Sequence, residues 1–152
     1  LFLDVARAFP EVEFVIAGTG PEEGRLRAQA GGNVHFAGHR DPCEVLAAAD
    51  VFLLTSDYEG MPMTLLEAMA CGVAPVVSAV DGCRDILGDG EGGAMAEAGS
   101  VRDFTEKLRP LIDSAAARSA VGAAGRGKVL RSYDARTQVA EVEALYRRLL
   151  SG

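Results

Sequence analysis

Apolar residues cluster along this chain in short, continuous runs that turn residues separate. Five of these runs predict β-strands, the last of them the weakest: residues 13–17, 33–37, 51–54, 74–78 and 93–96. A continuous apolar run, in contrast to an alternating one, is typical of a strand that is covered on both faces. We therefore expect helices to lie on either side of the sheet.

Helix-like segments occupy the intervals between the predicted strands. They cover residues 1–9, 22–30, 42–49, a stretch that ends at Gly72, 101–113 with Ser100 as the N-cap, and two further helices within 115–150 that separate near 132–134. This alternation predicts an α/β fold with a doubly wound parallel sheet, helices on both faces and a C-terminal helical tail. A chain of 152 residues suits one domain, which we place at residues 1–152.

Charge and cysteine content exclude several function classes. The formal net charge is −7, and an acidic chain without a dense basic stripe is a poor candidate for binding nucleic acid. The basic run at residues 126–131 is interpreted as a solvated helix face. Cys43, Cys71 and Cys83 contain no C-x-x-C pair, so the sequence predicts neither a disulfide framework nor a zinc site. We expect no metal and no cofactor.

The chain ends and hydropathy suggest where the protein works. No signal peptide is recognisable and no apolar run approaches the ~20 residues of a membrane span, so a cytoplasmic location is the expectation. The amphipathic pattern starts at Leu1 without a capping residue, which suggests that the chain was cut from a larger protein.

Glycine-bearing turns follow each of the first four predicted strands. They lie at residues 18–20, 38–40, 56–62 and 81–82. Ligands of open parallel sheets bind beyond the carboxyl ends of the strands, and glycine lets backbone amides approach them closely. The turns together predict a cleft of nucleotide size, although they do not identify the nucleotide.

Glu67 stands in an apolar helix and allows two interpretations. In the first, Thr64 is the N-cap and Glu67 completes a capping box, as the four-residue spacing permits. In the second, the helix starts near Pro62, and the amides of residues 63–65 form an anion site suited to a diphosphate. Glu67 then accepts hydrogen bonds from both hydroxyls of a ribose, and Glu59 accepts from a second sugar. The spacing alone does not decide between them.

The segment SDYEGMPMTLLEAMACGVAPVVS, residues 56–78, closely resembles the signature of the retaining glycosyltransferases called group 1, or family 4, which have the GT-B fold. The hallmark of this family is two glutamates that enclose seven residues, with Gly and Pro in the turn and Glu-Ala-Met-Ala in the helix. The segments FVIAGTGPEEGRL, VHFAGHRD and LAAADVFLLTS are similar to family segments in the same order. The resemblance covers nearly the whole chain and is looser after residue 81.

The resemblance implies that the chain is the Rossmann-like C-terminal domain of a GT-B enzyme, one half of that fold. Such a domain binds a nucleoside diphosphate-sugar, and the enzyme transfers a hexose to an acceptor with retention of configuration and without a bound metal. By position, the family assigns Glu59 as the catalytic residue on the donor sugar and Glu67 as the ribose ligand. The remaining implied donor contacts are Gly60, Met61, Pro62, Met63, Thr64 and Leu65 at the sugar and diphosphate, Gly38, His39 and Arg40 beside the base, and Gly18 and Gly20.

The chain also departs from the family. By the resemblance, we expect the family's opening strand with its basic loop of the Gly-Arg-Leu…Lys-Gly type, which grips the diphosphate, and its N-terminal acceptor domain to lie outside this chain, in the parent protein. Asp81 replaces the first glycine of the family's Gly-Gly-x-x-Glu, and Arg84, which follows it, is expected to form a structural salt bridge. We therefore expect the isolated chain to be inactive, and any membrane contact to come only through the parent protein.

Three alternatives remain. The first is a non-catalytic nucleotide-sugar-binding module or pseudoenzyme fragment, and the second is part of a GT-B sugar-nucleotide epimerase. Asp57 and Glu59 also imitate the paired carboxylates of a glycoside hydrolase.

Overall fold

This computed structural model describes residues 1–150, which contain thirteen helices and strands. The strands are β1 (Phe14–Ala17), β2 (Val34–Gly38), β3 (Val51–Leu54), β4 (Ala74–Ser78) and β5 (Ala94–Ala96). The helices are α1 (Phe2–Arg7), α2 (Glu23–Gln29), α3 (Pro42–Ala47), α4 (Met63–Ala70), α5 (Asp81–Leu87), α6 (Val101–Asp113), α7 (Ala115–Ser132) and α8 (Ala135–Leu150). All five predicted strands are confirmed, and so is the Ser100 cap, whose hydroxyl accepts from the amide of Asp103.

The strands pair in parallel, which confirms the predicted α/β class. β1 pairs with β2 in one sheet, and β3, β4 and β5 form a second sheet in that order. The sequence predicted a single sheet, but no backbone ladder joins β1 to β3 within residues 1–150. Each of these two strands therefore keeps one edge unpaired. Val15 in the middle of β1 is 50% exposed, which is high for a residue of an interior parallel strand.

One hydrophobic core extends beneath both sheets. Phe14 and Val34 of the first sheet and Val76 of the second share a cluster with buried residues of α1 and α6. Val77, the next residue of β4, belongs instead to a cluster formed by α4 and α5 on the opposite face. Successive strand residues point to opposite faces of a sheet. The continuous apolar run of β4 is therefore explained by helices on both sides.

The side chain of Asn33 ties the end of α1 to the start of β2. Its Nδ2 atom lies 3.1 Å from the carbonyl oxygen of Ala6, 3.0 Å from that of Phe9 and 3.0 Å from that of Val12. The last carbonyls of a helix lack partners within the helix. The partly buried side-chain amide of Asn33 therefore provides a donor for three carbonyl oxygens of the segment that leads from α1 into β1.

We expect Asn33→Asp to lower the free energy of unfolding by about 2–4 kcal/mol at pH 7, because a carboxylate offers three carbonyl oxygens no donor and adds a repelling charge. These carbonyls favour the protonated acid, so the pKa of the new carboxyl group should be raised in the folded state. The loss of stability should then shrink as the pH falls through that raised pKa. Urea denaturation at pH 7 and pH 4 measures both effects. Gln138→Glu, an amide-to-acid change at an exposed position of α8, is the matched control and should change stability little.

Helix α7 packs against two turns through glycines. A Cβ atom on Gly122 would lie 1.9 Å from the carbonyl oxygen of Gly72, and one on Gly125 would lie 2.8 Å from the carbonyl oxygen of Gly92. Both contacts are with backbone atoms, which cannot rotate away as the end of a flexible side chain can. The turn that ends α4 and the turn before β5 are thus held directly against the backbone of α7.

Candidate functional site

Helix α4 starts in a way that decides between the two interpretations of Glu67. Pro62 is the N-cap, with φ −72° and ψ 97°, and no side chain caps the helix. Thr64 is the second helical residue, so it is not the N-cap that a capping box requires. The capping-box interpretation is therefore wrong, and the helix starts beside Pro62 as the second interpretation expected.

Two amides at the start of α4 have no acceptor within residues 1–150, those of Met63 and Thr64. The amide of Leu65 donates to the carbonyl oxygen of Pro62 at 3.0 Å, and the side chain of Leu65 is fully buried. The prediction that all three amides are available is wrong for Leu65, because a tight first turn uses its N–H. An anion at this helix end would meet two free amides.

Glu67 lies one turn further along α4 between buried neighbours. Leu66 and Ala68 are in the core, whereas Glu67 itself is partly exposed. Its carboxylate forms no hydrogen bond or ion pair with another residue in the part of the chain that the structure describes. A partly desolvated carboxylate without a partner is unfavourable unless something polar binds it.

The charge of Glu67 is felt at the start of α3. The pKa of the Cys43 thiol is raised, first by the negative charge of Asp41, then by burial and by Cys71, and also by Glu67. Asp41 and Cys43 stand at the beginning of α3, where the Asp41 carboxylate caps the helix. The Glu67 carboxylate is thus close enough to the start of α3 for its charge to act on the Cys43 thiol, and it accepts no hydrogen bond from the amide of Thr64.

Glu59 is held in the turn between β3 and α4 by two hydrogen bonds. The hydroxyl of Ser56 donates to the Oε1 atom of Glu59 at 2.7 Å. The amide of Gly82, in the first turn of α5, donates to the carbonyl oxygen of Glu59 at 3.1 Å. Neither partner was assigned to Glu59 from the sequence, although the three-residue spacing of Ser56 and Glu59 is a signal that could have revealed the first.

Cys83 lies beside the same turn and is fully buried. Burial raises the pKa of its thiol to about 11, and the charge of Glu59 adds to this effect. The thiol is therefore neutral at physiological pH. It provides an apolar neighbour for the Glu59 turn rather than a second charge.

The other predicted donor contacts line the surface beside Glu59. Gly60 and Thr64 are exposed, Met61 is 63% exposed and Met63 is 58% exposed. Pro62 is buried and shapes the turn. The two methionines thus lie outside the core and form an apolar surface next to the carboxylates.

The turns after β1 and β2 lie next to each other. The amide of Gly18 donates to the carbonyl oxygen of Gly38 at 2.7 Å, and both glycines have a positive φ. The Gly18 amide is thus used within the protein and does not remain available for a ligand. At Gly20 the carbonyl oxygen accepts a hydrogen bond from the amide of Glu23.

The predicted base-adjacent side chains are exposed. His39 and Arg40 both lie on the surface at the carboxyl end of β2, and the Nε atom of Arg40 donates to the carbonyl oxygen of Ala37 at 3.1 Å. The structure shows no contact that joins either side chain to Glu67. Their role beside a base stays a prediction.

Gly82 differs from its expected role. The sequence predicted that it belongs to the glycines whose backbone a ligand approaches closely. It is buried instead, and its amide donates to the carbonyl oxygen of Glu59. Arg84 is exposed and forms no ion pair within residues 1–150, so the expected structural salt bridge is absent there.

The cleft of nucleotide size predicted at the two glutamates stays a prediction. Two shallow depressions, of about 320 Å³ and 260 Å³, lie elsewhere, one on α8 and one between α7 and the turns before β3 and β4.

Within residues 1–150, no three His, Cys, Asp or Glu side chains are grouped as metal ligands would be. In the same part of the chain, every helix is too short or too polar to cross a membrane.

Comparisons with known proteins identify the family. The family described as "Glycosyl transferases group 1" matches residues 2–114. A GDP-mannose-dependent monoacylated alpha-(1-6)-phosphatidylinositol monomannoside mannosyltransferase from Corynebacterium glutamicum is 36% identical over 138 residues, which are 82% of this chain and 36% of that protein. A phosphatidyl-myo-inositol mannosyltransferase from Mycobacterium leprae is 34% identical over 149 residues, 93% of this chain and 39% of that protein. The chain thus spans well under half the length of these relatives.

Solved structures share the fold at lower sequence identity. Sucrose-phosphate synthase from Thermosynechococcus elongatus aligns with a TM-score of 0.84 at 22% identity, over 97% of this chain and 42% of that one. Anabaena HepE, solved in complex with UDP and glucose, aligns with a TM-score of 0.83 at 21% identity, over 95% of this chain and 43% of that one. With the fold shared and the family match covering most of its length, this chain belongs to the group 1 glycosyltransferases and has the fold of a GT-B domain.

Proposed function

We propose that this chain is the donor-binding domain of a retaining glycosyltransferase, which transfers a hexose from a nucleoside diphosphate-sugar to an acceptor. The observation that carries the proposal is the partly buried, unpartnered carboxylate of Glu67, one turn after two free amides at the start of α4. A ribose diol and a diphosphate are the groups that such a pair of features binds. The name of one relative includes GDP-mannose, and HepE was solved with UDP and glucose, which supports a donor of this class.

Each element has a separate part in binding the donor. Glu67 accepts hydrogen bonds from the ribose hydroxyls, and the amides of Met63 and Thr64 bind the diphosphate at the helix end. Glu59 binds hydroxyls of the donor sugar at the reacting end, with Gly60 and Met61 beside it. The turn at residues 38–40 borders the base.

The parent protein, meaning the complete protein that contains this chain, supplies what the domain lacks. A diphosphate leaving group needs positive charge, and the proposed source is a basic loop that precedes this chain in the parent. The strand before that loop would pair with the open edges of β1 and β3. The acceptor binds to the N-terminal domain, and no metal is required.

Glu67→Gln in the parent protein tests the ribose contact. Because it removes two charge-assisted hydrogen bonds while keeping the shape of the side chain, we expect the Kd for the matching nucleoside diphosphate to rise about 10- to 100-fold. Isothermal titration calorimetry with a panel of nucleoside diphosphates measures the change and identifies the base. Glu106→Gln, on α6 at the opposite face of the sheet, makes the same change of charge and should leave the Kd unaltered. Equal affinities for Glu67→Gln and the unmodified protein would contradict the proposal.

The same measurement separates the enzyme from the non-catalytic module. Loss of the basic loop should weaken donor binding by the isolated chain roughly 10²–10⁴-fold relative to the parent, and the isolated chain should show no turnover. Similar micromolar affinity in both would contradict the role given to the missing loop. A parent that binds the donor but never transfers or hydrolyses its sugar would favour the non-catalytic module.

A further inference from the structure

Gly82 occupies a helical position at which glycine has no conformational justification. It is the second residue of α5 and does not have the positive φ that favours glycine. Glycine in a helix is less favourable than alanine. Something other than backbone conformation must therefore explain the absence of a side chain at this position.

The close approach of the Glu59 turn supplies that explanation. A Cβ atom on Gly82 would lie 2.3 Å from the carbonyl oxygen of Gly60 and 2.7 Å from that of Glu59. Atoms of this kind do not come closer than about 3 Å, so an alanine would push the turn away from α5. The Gly82 amide also donates its hydrogen bond to Glu59 from this position.

We propose that Gly82 is a positioning residue for Glu59. Because position 82 has no side chain, α5 packs directly against the backbone of the Glu59–Gly60 turn, and this contact sets where the Glu59 carboxylate lies relative to the donor sugar. This inference rests on the proposed function, since it requires Glu59 to act on the sugar. The Ser56 hydroxyl donates to the Glu59 carboxylate at 2.7 Å. Backbone and side chain of Glu59 are thus fixed independently, and a displacement of about 1 Å at such a group can lower a rate by about 100-fold.

Gly82→Ala in the parent protein tests the inference. We expect kcat to fall about tenfold or more, whereas the Kd for the nucleoside diphosphate stays within about twofold, because the atoms nearest to the added Cβ belong to Glu59 and Gly60 and not to Glu67 or α4. A purely structural defect would lower kcat and raise the Kd. Gly24→Ala adds the same methyl group to a helical glycine of α2 with nothing within 4 Å, and is the matched control.

A double-mutant cycle with Glu59→Gln decides whether Gly82 acts through Glu59. If it does, adding Gly82→Ala to Glu59→Gln should lower kcat little further; if the two factors multiply, the inference is overturned while the proposed function stands. If Glu59→Gln alone leaves kcat unchanged, the proposed function itself fails in its assignment of Glu59.

A measurement on the unmodified parent protein covers the case in which Gly82→Ala does not fold. Hydrogen exchange of the amides at residues 80–84 should slow more with the intact nucleotide-sugar than with the nucleoside diphosphate alone, since only the former engages Glu59. Equal protection by both ligands would overturn the inference.

Discussion

Gly122→Ala is expected to lower the free energy of unfolding by about 3 kcal/mol or more, although alanine is the better helix former. The added Cβ atom would lie 1.9 Å from the carbonyl oxygen of Gly72, and neither backbone can yield without moving α7 away from the end of α4. For a domain of this size the melting temperature should fall by roughly 6–12 °C. Differential scanning calorimetry of the 152-residue chain provides the measurement.

The same helix offers a matched control for that substitution. A Cβ atom on Gly127 would meet the Nη1 atom at the flexible end of Arg131 at 3.1 Å, and that side chain can move aside. Gly127→Ala should therefore leave the stability unchanged or raise it by about 0.5–1 kcal/mol. A Gly122→Ala variant as stable as Gly127→Ala would show that α7 does not pack on Gly72 in solution.

Glu59→Gln in the parent protein is expected to lower kcat about 10²–10³-fold. The amide keeps the size of the side chain and the hydrogen bond from Ser56, but it removes the charge that is proposed to act at the donor sugar. The Kd for the nucleoside diphosphate should change by less than about threefold, because that part of the donor is bound by α4. Steady-state kinetics with the donor identified by calorimetry gives kcat, and calorimetry itself gives the Kd.

Asp57→Asn tests whether Glu59 acts alone or as one of a pair of carboxylates. Asp57 is exposed and lies two residues before Glu59 in the same turn. It should tolerate substitution with little change of kcat if Glu59 acts alone. An equal loss for both variants would point to the paired-acid chemistry of glycoside hydrolases instead.

The features that the sequence predicted well are those set by local patterns. Continuous apolar runs placed β3 and β4 at the residues that the structure assigns to them, because burial on both faces leaves a simple signature. Pro62 likewise predicted where α4 begins. The spacing of Glu59 and Glu67 indicated the family, which the family match confirms.

Contacts between distant segments were not predictable in the same way. Gly82 and Glu59 are 23 positions apart, and only the packing of α5 against the turn brings the amide of one to the carbonyl oxygen of the other. The amide of Leu65 was misjudged for a related reason, because a tight first turn and a relaxed one have the same sequence signal. The division into two sheets depends on which strand edges meet, and apolar runs carry no information on this point.

The unpaired edges of β1 and β3 have a consequence for handling the isolated chain. Each edge presents a row of backbone donors and acceptors in the conformation that recruits another extended segment, and native proteins usually protect such rows. Without the segment that is proposed to lie between them, the chain invites self-association through intermolecular strand addition. Expression of the domain together with that segment should therefore give a more soluble and more nearly monodisperse sample than expression of residues 1–152 alone.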